Sequence, residues 1–401
     1  MKHFDPDASG PLNGVRVLDL TRLVAGNMLT LQLADFGADV IKVESVGKGD
    51  ALRAWTENGV SAFWKVYCRN KRSIALNFRA DGAADIILKL AENADVLVEN
   101  FRPGRMEKVG LSPQALHERN PKLIIARVSG FGQTGPYRER PGFGTLVEAM
   151  SGFANRNGFP DRPPLLPPLA LADMIAGLQG AYAMMVALRE VELKGGKGQV
   201  IDLSLLEPIL STLGPEALTY QLTGESKSRV GNRSNTSAPR DVYETKDNKY
   251  VALSASIQVM AERVFNVIGR EDMIDDPRYR TNADRVKRRD EVNDIVADWV
   301  KARSRDEVLT AFGEAGVTAS PVYDVGDLVS DEHVTEREVL IDVEDKDLGS
   351  AAHHNILPRL SETPGTFRRP APDLGEHTKD LLLEAGYDDD QILNMQKEGT
   401  I

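Results

Sequence analysis

A chain of 401 residues can bury a large core and exceeds one ordinary domain, so two domains are expected. With 41% hydrophobic and 27% charged residues it has an ordinary globular make-up, and its net charge of −11 argues against nucleic acid or an anionic membrane as the main partner. The lone Cys68 excludes an intrachain disulfide framework and fits a reducing cytosol. The opening MKHFDPDASG has no apolar signal core, and no apolar run approaches the ~18 residues of a membrane span, so a cytoplasmic protein is expected.

In chain order, VRVLDL (15–20) reads as a buried strand, 26–36 has the apolar spacing of a helix, and DVIKVE (39–44) reads as a second strand. This βαβ opening starts a doubly wound sheet. A helix at 80–94, a strand at 95–100, a helix at 113–120 and a strand at 122–130 continue the alternation, which predicts a mainly parallel α/β domain. Residues 131–168 are rich in glycine and proline and read as functional loops around a short helix at 144–151. A long helix runs to about Lys194, followed by a strand at 199–205 and a mostly helical stretch at 206–221. The polar segment 223–239 reads as a linker. A hairpin over 241–256 and helices at 257–268, 272–275, 290–302 and 305–315 predict a smaller α+β domain, and two helices occupy 373–396. The expected boundaries are a large domain at 1–222 plus 335–401, a small domain at 240–325, and linkers at 223–239 and 326–334.

Asp173 stands in LPPLALADMIAGLQGAYAMMVAL (166–188), between an apolar approach and the small-residue start of an apolar helix. An aspartate so placed is either an N-cap, contributing about 1 kcal/mol, or a partly desolvated reactive carboxylate at the positive end of a helix.

Other chemistries lack their residues. Glu44 ends the second strand where a dinucleotide ribose would bind, but the turn RLVAGNMLTL has only Gly26 in place of G-x-G-x-x-G. There is no phosphate-binding G-x-x-x-x-G-K-[ST], no H-E-x-x-H and no G-x-S-x-G, and the one close histidine pair, His353-His354, has no cysteine nearby. No metal and no resident cofactor are expected.

Two segments have the make-up of polyanion contacts. CRNKRSIALNF (68–78) brings Arg69, Lys71 and Arg72 together just before a strand. VENFRPGRMEKVGL (98–111) follows a strand with Arg102, Arg105 and Lys108. Loops beside strands are where open α/β sheets bind ligands, and two such clusters in an acidic chain point to a phosphorylated ligand; the competing reading is a solvated surface cluster.

PLNGVRVLDLTRLVAGNMLTLQLADFGADVIKVES, NKRSIALNF, ADVLVENFRPG, SGFGQTGPYRERPGF, LALADMIAG, GKGQVIDLSLLE and APDLGEHTKDLL together resemble the class III CoA-transferases, the group that includes formyl-CoA transferase and the carnitine CoA-transferase. The resemblance runs nearly end to end, with the motifs in the family's order. It implies that Asp173 is the nucleophile, attacking an acyl-CoA thioester to give an aspartyl–acyl anhydride and then an aspartyl-CoA thioester. By the same resemblance, Val24, Ala25, Asn70, Lys71, Arg72, Asn100, Phe101, Arg105 and Lys108 line the coenzyme A site, with coenzyme A a substrate and not a cofactor. The family's interlocked homodimer of ring-like monomers is implied as well.

Departures from the family narrow the substrate. The formyl-CoA enzymes carry glutamine where Val24 stands, and a glycine run where this chain reads NRSNTSAP (232–239). A family acidic residue is replaced at Gly144. The racemase branch uses a histidine in the loop around 131–145, and this chain has none between His117 and His333. The expectation is a CoA-transferase with a small di- or hydroxy-carboxylic acid as acceptor. An acyl-CoA racemase, an intramolecular CoA shift within one dicarboxylate, and a non-catalytic CoA-binding protein are the alternatives.

Overall fold

Six short runs of β-branched and leucine residues pair into one all-parallel sheet. They are β1 (Arg16–Asp19), β2 (Asp39–Glu44), β3 (Lys71–Ala75), β4 (Val96–Glu99), β5 (Ile124–Ser129) and β6 (Val200–Ser204), in the order β3-β2-β1-β4-β5-β6. Val17 of β1 lies opposite Val40 on one side and Val96 on the other. Both faces of the inner strands are covered by helices, so these runs are apolar without alternation. The chain steps outward from β1 to β3, then returns to the other side of β1 for β4 to β6. The carboxyl ends of β1 and β4 therefore flank the topological switch point, where sheets of this kind open a ligand crevice.

The computed structural model describes all 401 residues, which divide into two units. The first comprises 1–151, 167–214 and 337–401 and contains the sheet. Its terminal helices Thr378–Glu384 and Asp389–Lys397 add Leu381, Leu382 and Ile392 to the core.

The first unit's longest helix, Leu171–Lys194, packs along Leu23–Asp35. Small residues permit the approach: a Cβ on Gly177 would lie 2.8 Å from the Met28 side chain, and one on Gly180 would lie 2.4 Å from Leu29 Cδ1. The helix has 24 residues and a window of mean hydropathy 1.4, long and apolar enough to cross a membrane by length and composition alone. The expectation that no run approaches that length is corrected accordingly. It failed because Asp173 at the amino end and the charged carboxyl-terminal turns bracket a continuous apolar stretch. One side of this helix is core, while Leu178, Tyr182, Met185, Val186 and Leu193 are exposed on the other.

The second unit comprises 152–166 and 215–336. β7 (Arg240–Glu244), β8 (Tyr250–Ser254) and β9 (Ala319–Pro321) form an antiparallel sheet. Helices Gln258–Val267, Arg289–Lys301 and Arg305–Glu314 cover it, burying Tyr243, Val251, Phe265, Val296 and Phe312. The last helix opens with a capping box of Ser304 and Glu307. Segment 152–166 joins this unit, held by Gly231 N–H to the Gly158 carbonyl (2.9 Å) and Arg156 to the Ser228 carbonyl (2.7 Å). From sequence it was expected in the large domain.

The hairpin β10 (Leu340–Asp345) and β11 (Gly349–His354), in the first unit, was not anticipated. Nor was the placement of Lys71 and Arg72 within β3 and not before it.

Candidate active site

The site begins with a buried ionic network at the carboxyl end of β1, joined by Lys42 from within β2 and by Lys71, the first residue of β3. Asp19, Lys42 and Lys71 are fully buried. Asp19 accepts from Lys42 Nζ (3.1 Å), Lys71 Nζ (3.3 Å), Thr21 Oγ1 (2.5 Å) and Thr30 Oγ1 (2.6 Å). Burial alone would raise the Asp19 carboxyl, but the two ammonium groups and the two hydroxyls hold it at about 2. Lys42 also meets Asp50 Oδ2 at 3.1 Å. Removing one member of such a set would leave an unpaired buried charge, at a cost of about 3–5 kcal/mol.

Asp50 carries this network to the start of the Leu23–Asp35 helix. Its carboxylate accepts from the Leu23 amide (2.9 Å) and from Asn27 Nδ2 (2.9 Å). Leu23 is held at φ 64, a left-handed conformation rare for a leucine. The helix has no side-chain cap of its own at Arg22, so Asp50 fills that role and fixes the first turn.

The amide of Ala25, in that turn, donates to the Asp173 carboxylate. Asp173 lies in the first turn of Leu171–Lys194, whose N-cap is Ala170. The capping reading of Asp173 is thus corrected: the helix starts two residues before it. Burial pushes the Asp173 carboxyl up and the nearby Glu148 charge adds to this, while the Asp173 and Ala25 amides pull it down; the outcome is about 6. Glu148 is buried on helix Gly144–Met150, and its Oε1 accepts from the Ala172 amide at 3.0 Å. On the same helix a Cβ at Gly144 would fall 2.1 Å from Asp173 Oδ2, so the missing side chain is the space the carboxylate occupies.

Asp173 opens onto a cleft of about 350 Å³ beyond the ends of β4 and β5. Arg22, Arg102, Arg138 and Arg140 line it, with the Arg140 guanidinium 3.5 Å from the Tyr137 ring centre. A second cleft, of about 180 Å³, opens beyond β1 and β2 and shares Arg22 and Phe101 with the first. Phe78, Phe101, Met106 and Val109 give it an apolar wall, and Arg79 and Arg105 supply charge.

The predicted residues divide into three groups. Asp173, Ala25, Asn100 and Phe101 meet at the first cleft, and Arg105 lines the second. Asn100 grips Arg22 through both backbone groups, at 3.0 and 2.8 Å. Lys108 is exposed beside a shallow neighbouring cleft with Phe78 and Val109. Val24 is buried against Leu52, Trp64 and Cys68. Asn70, Lys71 and Arg72 line neither cleft: Asn70 bonds Asp35 (2.8 Å), Lys71 bonds Asp19 and Asn27, and Arg72 is paired with Asp39 and Glu384, each at 2.6 Å. Cys68 is fully buried, which pushes its thiol up to about 12.

Sequence reading passed over Arg22, Asp50 and Glu148. Glu148 had a usable signal, since it stands four residues after Gly144 on a predicted helix and so shares its face. Asp50 had only the signal of a local cap, for the Leu52 amide two residues on; its bonds to Leu23 and Asn27 span 27 and 23 residues to another element.

Residues 12–378 match the sequence model of CoA-transferase family III. The chain is 38% identical over 395 residues to the succinyl-CoA–D-citramalate CoA-transferase of Chloroflexus aurantiacus, covering 98% of each chain. It is 34% identical over 389 residues to the succinate–glutarate CoA-transferase of Agrobacterium fabrum, covering 94% of this chain and 96% of that one. A crystal structure of a CaiB/BaiF family protein from Brucella suis matches with a TM-score of 0.83 and 31% identity, over 94% of this chain and all of the other. The chain therefore belongs to CoA-transferase family III and is an enzyme of that class.

Proposed function

We propose that this enzyme moves coenzyme A from an acyl-CoA to a small dicarboxylic or hydroxydicarboxylic acid, with Asp173 as the covalent nucleophile. One observation carries the reading: a half-buried, desolvated carboxylate held by the Ala25 amide at the floor of a cleft lined by four arginines. The cations suit anionic donor and acceptor, and the names of the relatives pair succinyl-CoA with citramalate or malate.

In this scheme an Asp173 oxygen attacks the thioester carbonyl, the C–S bond breaks, and coenzyme A leaves as thiolate. The thiolate attacks the aspartyl carbonyl of the anhydride and expels the donor acid, leaving an aspartyl-CoA thioester. The acceptor carboxylate attacks that thioester and again displaces the thiolate. The thiolate then attacks the acceptor's acyl carbonyl, releasing the new thioester and the free Asp173 carboxylate. A carboxylate suffices as nucleophile because its leaving group is a thiolate.

The nucleotide end of coenzyme A fits the second cleft, with its apolar wall for a base and Arg79 and Arg105 for phosphate. Assays with succinyl-CoA as donor and a panel of free mono- and dicarboxylic acids test both ideas together. C4 and C5 dicarboxylates are expected to accept coenzyme A and monocarboxylates to fail. Arg105→Ala is expected to raise KM for succinyl-CoA about tenfold with a smaller fall in kcat, since a remote phosphate contact serves ground and transition states alike. Arg72→Ala should leave KM unchanged and lower stability, its carboxylate partners being internal. Equal use of monocarboxylates, or an unchanged KM in Arg105→Ala, contradicts the assignment.

A second copy of the chain suits the exposed apolar side of Leu171–Lys194 together with Phe143, Leu146 and Met150 of the neighbouring segment. Apolar patches of this kind are rarely left bare. Sedimentation is expected to show a dimer at micromolar concentration, and a stable monomer would refute it.

A further inference from the structure

The Leu171–Lys194 helix has an unusual beginning. Its N-cap is Ala170, with no side-chain cap, yet its first turn holds the reacting carboxylate. An alanine there offers no side-chain acceptor, so the first-turn amides depend on other groups, as when the Leu171 amide bonds the Leu169 carbonyl at 2.8 Å. Asp173 satisfies only its own amide, its carboxylate otherwise facing the Ala25 amide and Gly144, so the Ala172 amide needs an acceptor from elsewhere.

The missing partner comes from another helix. Glu148 is 2% exposed on Gly144–Met150, and its Oε1 accepts from the Ala172 amide at 3.0 Å. Ala172 is itself fully buried and directly precedes Asp173 in sequence. Gly144 and Glu148, one turn apart on one helix face, thus act on the same residue from two sides. Gly144 leaves room for the carboxylate, and Glu148 holds the backbone that carries it.

We propose that Glu148 is the positioning residue for Asp173: it caps the first turn of the nucleophile helix from a neighbouring helix and sets a second negative charge beside the reacting carboxylate. This rests on the reading of Asp173 as nucleophile. Two carboxylates at close quarters disfavour each other's ionised form, so the Glu148 charge keeps Asp173 more basic than an exposed aspartate, in line with its displaced titration. A more basic carboxylate is the better nucleophile while ionised, and at neutral pH a group titrating near 6 is mostly ionised.

The other charges around Asp173 are accounted for. Arg22, Arg102, Arg138 and Arg140 face it across the cleft and are exposed to solvent. The Leu23–Asp35 helix has one charged residue, Asp35, at its far end and paired with Arg69. Helix Leu206–Thr212, packed on both site helices, has only Glu207, which accepts from Ser204 Oγ at 2.5 Å. Glu148 is the one carboxylate whose removal lowers the charge beside Asp173.

Glu148→Gln and Glu148→Ala separate the two roles, because the glutamine carbonyl still accepts from Ala172 and carries no charge. The Asp173 titration is read directly, by infrared difference spectra of each protein against its Asp173→Asn counterpart over pH 4 to 8. This readout needs no substrate, so it remains informative if the acceptor assignment is mistaken. In Glu148→Gln the midpoint is expected to fall by roughly half a unit or more while thermal stability stays near wild type. The acid limb of kcat should move down with it, and kcat at neutral pH should fall several-fold with KM little changed. Glu148→Ala should lose the cap as well, lowering Tm and reducing kcat further, by about tenfold or more. An unchanged Asp173 midpoint in Glu148→Gln overturns the electrostatic role, and wild-type kcat and Tm in Glu148→Ala overturn the positioning role. If Asp173→Ala itself retains activity, the nucleophile reading fails, and the midpoint shift alone decides the charge relation.

Discussion

Asp173→Ala is expected to lower transfer by roughly a thousandfold or more, about 4 kcal/mol, while acyl-CoA still binds. No other carboxylate lines the cleft to take over the covalent step. The cleft-lining residues Arg22, Phe101 and Arg105 are untouched by the change. Retention of more than about a tenth of the activity would rule out a covalent role. Asp173→Asn should be equally inactive but more stable than wild type. The sign follows from the proton balance. The folded carboxyl titrates near 6 against an ordinary 3.8, so between those values the folded state holds a proton that the unfolded chain has lost. This group's contribution to stability falls as pH rises through that window, and above it the ionised Asp173 is a standing cost. Asparagine keeps the acceptor for Ala25 and removes the charge. After allowance for the partial exposure of the side chain, the gain is on the order of 1 kcal/mol at neutral pH, read as a rise in Tm.

The second large effect is expected at Gly144. A Cβ there would fall 2.1 Å from Asp173 Oδ2, far inside any real contact. The obstructing atom is the end of a short side chain that can swing, so the protein accommodates alanine by turning Asp173 aside. Gly144→Ala should therefore fold, with Tm close to wild type, and lose about a hundredfold in kcat, the scale associated with misplacing a reacting group by an ångström. KM for acyl-CoA should change little. Full activity in Gly144→Ala would show that Asp173 reacts from a different rotamer.

The central sheet was legible because its strands are buried on both faces. DVIKVE matches β2 residue for residue, and the alternation of strands and helices implied the parallel order. Two features were not legible. β10 and β11 bury only alternate residues such as Ile341 and Val343, between Asp, Glu and Ser, so their apolar signal is half strength. Lys71 and Arg72 read as ligand contacts because a lysine is rarely buried, and only the fold shows that Asp19, 52 residues earlier, meets Lys71. Within the site, segment 166–188 marked Asp173 as an N-cap or a reactive carboxylate, and only the family resemblance drew attention to Gly144; the close approach of the two was not legible. The roles of Asp50 and Glu148 depend on hydrogen bonds between separate elements, which no local pattern encodes. The basic cluster at 69–72 and the arginines at 22, 102, 138 and 140 are alike in composition; burial and pairing divide structural cations from those left facing the clefts.

The central claim is that Asp173 becomes covalently acylated. Wild-type enzyme incubated with succinyl-CoA and then hydroxylamine or borohydride is expected to show a mass change confined to the peptide carrying Asp173, absent without the thioester and absent in Asp173→Asn. Modification of another residue, or none while the same preparation is turning over, would contradict it.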